Sequence, residues 1–388
     1  MNFPHPDRRS DQKGQVKMDA ELKGPQDLEK EVIKTDLCTL CGACVGLCPY
    51  FRAHRGRIVL MDNCNLSQGR CYFFCPRTPS DLEAVNQALF GAPYPGDSLG
   101  TRRQVVMAKA LDKSALAKGQ YGGVTSALVA LALKKKMIDG AVLTKRGKEL
   151  LSSGALARDK RQVLACAGSN YIASPTLEAF NKGVQGSPKK MAVVGIPCQV
   201  LALGKMRINP LENKNHIEKL HLVIGLFCTW ALAFQETLQF LGKDYPVEKI
   251  GKMDIPPPPA NALQLHLPGG MKSISLDHIR KFVRPACGMC LDMTAEFSDL
   301  SVGAVEGIPG WNTVILRTAK GQELLEEAKR AKMIEISDVP RANLRHLQEA
   351  ALLKKKRALE NIVKRTGTKD NLLYLRGTDS LRPLLPQA

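Results

Sequence analysis

Twelve cysteines are where this 388-residue chain can do chemistry. Seven crowd into one stretch: Cys38, Cys41, Cys44, Cys48, Cys64, Cys71 and Cys75. The first four read C-x2-C-x2-C-x3-C and are followed by Pro49, as Cys75 is followed by Pro76. Four others, Cys198, Cys228, Cys287 and Cys290, are scattered far downstream, and Cys166 stands apart. Close spacing lets one loop wrap a cube of iron and sulfide, with the fourth cysteine of such a run serving the neighbouring cluster. By that logic Cys38, Cys41, Cys44 and Cys75 hold one 4Fe-4S cluster. Cys48, Cys64 and Cys71 supply three ligands of a second, whose fourth is missing. In C-NLSQGR-C-YFF-C-P, Ser67 and Gln68 stand near where a middle cysteine belongs, and the step from Cys64 to Cys71 is one residue too long. That site is a three-cysteine site, a site with an unusual ligand, or empty. Zinc also accepts four thiolates, but its sites usually pair two separated C-x2-C knuckles.

Two kinds of element must position these thiols. Residues 31–80 read as a small, loop-rich module of ferredoxin type, held together by its metal because it buries little apolar surface. Residues 1–30, polar and charge-balanced, read as a disordered or loosely attached arm. Residues 81–100, with GAPYPGDSLG, read as a turn-rich linker. Strands and helices alternate over 101–340, the pattern of a mixed α/β domain. RQVVMAKAL, AVLTKR, KKMAVVGIPC, LHLVIGLFCT and WNTVILRT are its predicted strands, and GGVTSALVALALKKKMI, ALAFQETLQFLGKDY and GQELLEEAKRAKMI its predicted helices. Pro256–Pro259 is a loop. Residues 341–388 form a basic helical extension. Cys198 and Cys228 each follow an apolar strand, and carboxyl ends of neighbouring parallel strands converge on one edge of such a sheet. The plainer alternative is two buried core thiols and an unrelated C-x2-C pair.

The composition, 44% hydrophobic and 24% charged, is that of a soluble globular protein. No run of about 18 apolar residues appears, so no transmembrane helix is expected, and peripheral membrane association stays open. The opening residues lack a secretory signal, and so many cysteines without one predict a reducing, cytoplasmic setting with thiolate ligands rather than disulfides. The net charge of +19 is either a solvated basic face or a docking surface for an acidic electron carrier or anionic coenzyme. From Arg341 onward eleven Lys and Arg face four Asp and Glu, about a third of the excess. Aromatic residues are only 5%, thin for base stacking, and no nucleic-acid motif appears. A zinc-bearing nucleic-acid binder therefore rests on charge alone, and no nucleic-acid partner is expected.

GGVTSAL, GIPCQ, GLFC, C-x2-C-LDMTAEFSDLSVG and GWNTVILRT resemble, in this order between about residues 100 and 335, the beta subunits of coenzyme F-420 hydrogenases and dehydrogenases. The ferredoxin-like front is similar to members that carry one, such as formate dehydrogenase beta subunits. The resemblance implies a mixed α/β flavin and iron–sulfur domain preceded by a small ferredoxin-like cluster module. It implies FAD in the larger domain and a 4Fe-4S cluster on Cys198, Cys228, Cys287 and Cys290. Two clusters are expected, and the three-cysteine site would be a third. The activity implied passes hydride between coenzyme F-420 and FAD, then single electrons along the clusters. Their partner is a larger complex of hydrogenase, formate dehydrogenase or heterodisulfide-reductase type, or an acidic ferredoxin. Other readings are the same architecture acting on another substrate, and an electron relay with no substrate of its own.

Residue by residue, Gly122 and Gly123 before a helix let backbone approach a diphosphate, and Thr125 and Ser126 add hydroxyls. Asn312, Thr313, Arg317 and Thr318 lie on a strand that would face the flavin, Arg317 being equally an ordinary surface cation. Trp311 either stacks on the isoalloxazine or packs in the core. Asp292, Glu296 and Asp299 read as helix-surface or capping carboxylates, and Cys166 as a buried structural thiol. No acid–base pair is required, since the flavin carries the chemistry.

Overall fold

The structure, a computed structural model, describes residues 23–209, 211, 215–256 and 260–387. Most of the expected arm, and Pro257–Pro259 of the expected loop, lie outside the described residues. The described end of the arm is not loose. Pro25–Leu28 is an α-helical turn that runs on into Glu29–Ile33, and Leu28 and Val32 are buried.

Eight strands form the main sheet. They are β1 Gln104–Ala110, β2 Gly140–Arg146, β3 Ser152–Ala157, β4 Met191–Gly195, β5 Leu220–Leu226, β6 Leu300–Ala304, β7 Asn312–Leu316 and β8 Ile334–Ser337. Their spatial order is β8-β1-β7-β6-β5-β4-β2-β3. The centre, β2-β4-β5-β6, is parallel, and both flanks are antiparallel. Strands buried on both faces read as unbroken apolar runs, and MAVVG in β4 is buried at every position. Alternate side chains serve opposite cores: Val142, Val193 and Val223 one, Ala192, Val194, Leu222 and Ile224 the other. The edge strands β3 and β8, and β6 behind the C-x2-C, escape the sequence reading because their apolar patterns are short.

Five helices matter for the site: α1 Leu82–Phe90, α2 Val124–Lys134, α3 Pro197–Arg207, α4 Ala319–Arg330 and α5 Arg341–Thr366. α2 and α4 cover one face of the sheet. α3 is buried on all sides from Pro197 to Met206, on the other face. A satellite antiparallel sheet, Lys252–Asp254 with Ala262–Leu267 and Gly270–Ser275, has a separate core with Phe234 and Leu241.

The front segment is not set apart by a linker. Phe51, Ile58, Phe73 and Phe74 lie in the same hydrophobic core as Val193, Val200 and Leu203 of the sheet and α3. The stretch expected as linker contains α1, capped by Asp81, which accepts from Ala84 N at 2.9 Å. The basic extension is mostly α5, whose inner stripe buries Leu347, Ala351, Lys354, Lys355, Ala358, Leu359 and Ile362. Among the described residues no helix is long and apolar enough to cross a membrane.

Candidate redox site

The first front loop is held from outside itself. Asn181 Nδ2 donates to Ala43 O at 3.0 Å and Val45 O at 2.7 Å, and Leu177 N donates to Cys41 O at 3.1 Å. Arg284 donates to Cys38 O at 2.8 Å and Gly56 O at 3.2 Å. Gly42, at φ +85°, lies so close to Pro175 that an added Cβ would sit 2.5 Å from its carbonyl oxygen. Lys205 of α3, 1% exposed, donates to Cys75 O at 2.7 Å, Pro79 O at 2.8 Å and Thr78 Oγ1 at 2.9 Å. The result is a cavity lined by Cys38, Cys41, Cys44 and Cys75 together with Leu28, Val32 and Ile58.

Burial, reinforced by neighbouring thiols, pushes Cys41 and Cys44 well above the usual thiol range. Burial also raises Cys75, to about 11, against the pull of Lys205. All twelve cysteines are free. A single ion would need its thiolates to meet at about 2.3 Å from one point. Among the described residues no three His, Cys, Asp or Glu side chains are grouped to hold one. A cube of iron and sulfide spreads its ligands wider, and a buried ring of free thiols around a cavity fits it.

Cys48, Cys64 and Cys71 form a second group. Burial pushes Cys71 up to about 12, with Cys48 and Cys64 adding to the effect, and Arg70 stands beside Cys48 and Cys71. No fourth cysteine joins them among the described residues, and Ser67 and Gln68 are exposed. The Gln26 side-chain amide donates to Cys64 O, so the helical segment before the loop covers it.

The scattered cysteines converge. Cys198 is the second residue of α3, directly after β4, and Cys228 follows β5. Cys228 N donates to Met293 O at 2.9 Å, bringing the C-x2-C loop back over that strand end, and Ala231 N donates to Cys287 Sγ at 3.4 Å. Cys228 is raised by burial and by Cys287, Cys198 and Cys290, and Cys198 is pushed to about 12 by burial and by Cys290 and Cys287. Cys290 goes the other way. Its burial is outweighed by two cations, Lys354 from α5 and Arg77 from the front segment. Thr39 lies near Cys198, and Cys198 acts on Cys41, so this group and the first front group are neighbours.

The expected flavin residues divide. Gly122, Gly123, Thr125 and Ser126 gather at the start of α2, with the Thr and Ser half-buried. Nearby, Tyr121 OH donates to Ile255 O at 3.1 Å, and Tyr171 OH accepts from Gln120 Nε2 at 3.0 Å. The other four have internal partners. Asn312 accepts from Val124 N at 3.3 Å and donates to Gly303 O at 3.0 Å, while Thr313 donates to Ala304 O at 3.1 Å. Thr318 caps α4, accepting from Gly321 N and donating to Asp299 Oδ1 at 2.7 Å. Arg317 is neither a surface cation nor a free donor toward a ligand. At 2% exposure, its five N–H groups are taken by Leu99 O, Thr101 O, Thr294 O, Thr294 Oγ1 and Ser301 Oγ.

Of the carboxylates, Asp292 caps its own turn, accepting from Thr294 N and Glu296 N, but Asp299 is buried and accepts from Val223 N of β5, and Glu296 is buried, paired with Lys355 and accepting from Tyr94 OH at 2.9 Å. Trp311 carries Lys109 Nζ over its ring, 4.6 Å from the centroid. Cys166 is half-buried and belongs to none of the three groups. Sequence reasoning missed Arg77, Lys205 and Lys354. For Lys354 a signal existed: the stripe 347, 351, 354, 358, 362 runs straight through it.

Fold and site together define a thiol-rich α/β protein with three cysteine groups along one side of a mixed sheet. The chain belongs to the family described as coenzyme F420 hydrogenase/dehydrogenase, beta subunit, whose N-terminal model matches residues 105–181 and C-terminal model residues 188–342. It is 29% identical over 273 residues to the coenzyme F420 hydrogenase subunit beta of Methanothermobacter thermautotrophicus, covering 69% of this chain and 96% of that one. It is 29% identical over 354 residues to a coenzyme F420-dependent sulfite reductase of Methanocaldococcus jannaschii, covering 86% of this chain but only 52% of that protein. A chain from the F420-reducing [NiFe] hydrogenase complex of Methanosarcina barkeri superposes with a TM-score of 0.63 at 26% identity, over 69% of this chain and 94% of that one.

Proposed function

We propose that this chain is an F420-linked redox subunit, an iron–sulfur flavoprotein that exchanges hydride with coenzyme F420 and single electrons with a partner. The observation that carries the reading is the meeting of Cys198, Cys228, Cys287 and Cys290, dispersed in sequence, beside the ring of Cys38, Cys41, Cys44 and Cys75, within the family's fold. FAD would supply the exchange between a two-electron hydride and single electrons, and clusters would carry the electrons one at a time. For its part, the chain holds the thiols in place and buries five of them, Cys41, Cys64, Cys71, Cys75 and Cys198, the rest being half-buried. The start of α2 offers backbone approach and hydroxyls suited to a diphosphate. Cys48, Cys64 and Cys71 would hold a third cluster with a ligand that is not cysteine. Complexes of the kind its relatives are named for, or an acidic ferredoxin, are the partners this reading favours.

The test is anaerobic purification with iron, sulfide and flavin measured, followed by addition of reduced F420. Flavin bleaching is expected, and a flavin that stays oxidised would sink the substrate assignment. A second reading, an electron relay without a flavin, draws on the internal partners of Asn312, Thr313, Arg317 and Thr318. It predicts iron and sulfide in the purified chain with no flavin.

A further inference from the structure

α5 begins where the family's C-terminal match ends, sharing only its first two residues with it. Yet it reaches the downstream thiols. Lys354 is 4% exposed, and its Nζ donates to Cys228 O at 2.6 Å and to Asp292 O at 2.7 Å, carbonyls from two of the three segments that carry the group's thiols. A neutral amide would satisfy two carbonyls without bringing a charge out of water. A buried cation costs several kcal/mol of desolvation unless negative charge meets it. The carboxylates nearby have other partners. Glu296 pairs with Lys355, and Asp292 accepts from Thr294 N and Glu296 N, both at 2.8 Å. What faces Lys354 is Cys228, Cys287 and Cys290.

A second cation approaches the same group from the front segment. Arg77 is 4% exposed, donates to Ala286 O at 3.3 Å and lies 4.4 Å from the centroid of Tyr374. Its Nε is buried with no protein partner. Two buried cations and an unpartnered N–H around four thiols mark a place built to hold an anionic group.

We propose that Lys354 sets the reduction potential of the cluster on Cys198, Cys228, Cys287 and Cys290, with Arg77 as a second cation beside it. The inference rests on the cluster reading above. One-electron reduction adds one negative charge to the group. A fixed cation nearby stabilises the reduced form and raises the potential, and burial keeps solvent ions from screening it. Lys354 is thus a positioning residue for charge, supplied by a helix outside the matched domain. Lys205 stands in the same relation to Cys75 and Cys41 of the first front group.

The test compares Lys354→Gln, which keeps a donor and removes the charge, with Lys354→Arg, which keeps the charge. The full chain is titrated anaerobically and followed by EPR, the cluster signal being assigned as the one deleted by Cys287→Ser. In Lys354→Gln the one-electron equilibrium should shift at least about tenfold toward the oxidised form, roughly 59 mV lower, with iron content unchanged. Lys354→Arg should stay near the parent. An unshifted Gln variant, equal shifts in both variants, or loss of the signal in Gln alone would each overturn the proposal, the last because Lys354 would then hold the site together rather than tune it. A parent chain with no signal removed by Cys287→Ser would instead refute the cluster reading itself.

Discussion

Replacing Arg317 by Met should unfold the protein more easily without emptying the proposed flavin site. The guanidinium uses all five N–H groups, three of them on the carbonyls of Leu99, Thr101 and Thr294. Met fills similar volume but leaves those carbonyls buried and unpaired. Each such loss costs about 1–3 kcal/mol, while removing the burial penalty of the charge returns part of it. The Ser301 and Thr294 hydroxyls can turn to other acceptors. A net loss of about 3–5 kcal/mol is expected, which for a chain of this size lowers an apparent melting midpoint by roughly 5 °C. Lys, with three N–H groups instead of five, should recover part of that. The assay is anaerobic thermal denaturation, with flavin per folded chain measured alongside. An unchanged midpoint with flavin lost would refute the reasoning and return Arg317 to the cofactor.

Gly42→Ala should detach the first front loop, since φ +85° and the Pro175 carbonyl both oppose a side chain there; iron should fall by about four atoms per chain, as read by iron analysis. Cys166→Ser should leave iron content and the EPR spectrum as they are, because Cys166 stands outside all three thiol groups. The charge of +19 predicts that reduction by F420 slows several-fold as salt is raised from about 0.05 to 0.3 M, and a flat stopped-flow profile would rule out electrostatic steering.

The front cysteine run was legible as a candidate ligand set because ligand spacing constrains sequence directly, whereas the grouping of Cys198, Cys228, Cys287 and Cys290 came from the family resemblance. C-x2-C-x2-C-x3-C-P can be read without a fold, and the apolar runs ahead of Cys198 and Cys228 announce strand ends. Five predicted strands fall on β1, β2, β4, β5 and β7, where apolar runs are buried on both faces in β4, β5 and β7 and alternate with half-exposed positions in β1. Arg317 was misread because an arginine on a strand looks alike whether it meets solvent or backbone carbonyls. What distinguishes the cases is Leu99 and Thr101, more than 200 residues earlier in the chain. The independence of the front segment was overestimated for a related reason. Local composition makes 31–80 look poor in apolar surface; its Phe51, Ile58, Phe73 and Phe74 share one core with α3 and the sheet.

That shared core bears on how electrons would travel. Thr39, between Cys38 and Cys41, lies near Cys198, and Arg77, two residues past Cys75, lies near Cys290. The first front group therefore touches the downstream group at both ends of its ligand set. Cys44 in turn feels Cys71, so the three-cysteine group adjoins the first front group as well. Asn181, Arg284 and Lys205 bind the first front group to the larger domain through backbone carbonyls. A carrier domain that swings between donor and acceptor would not be tied in this way.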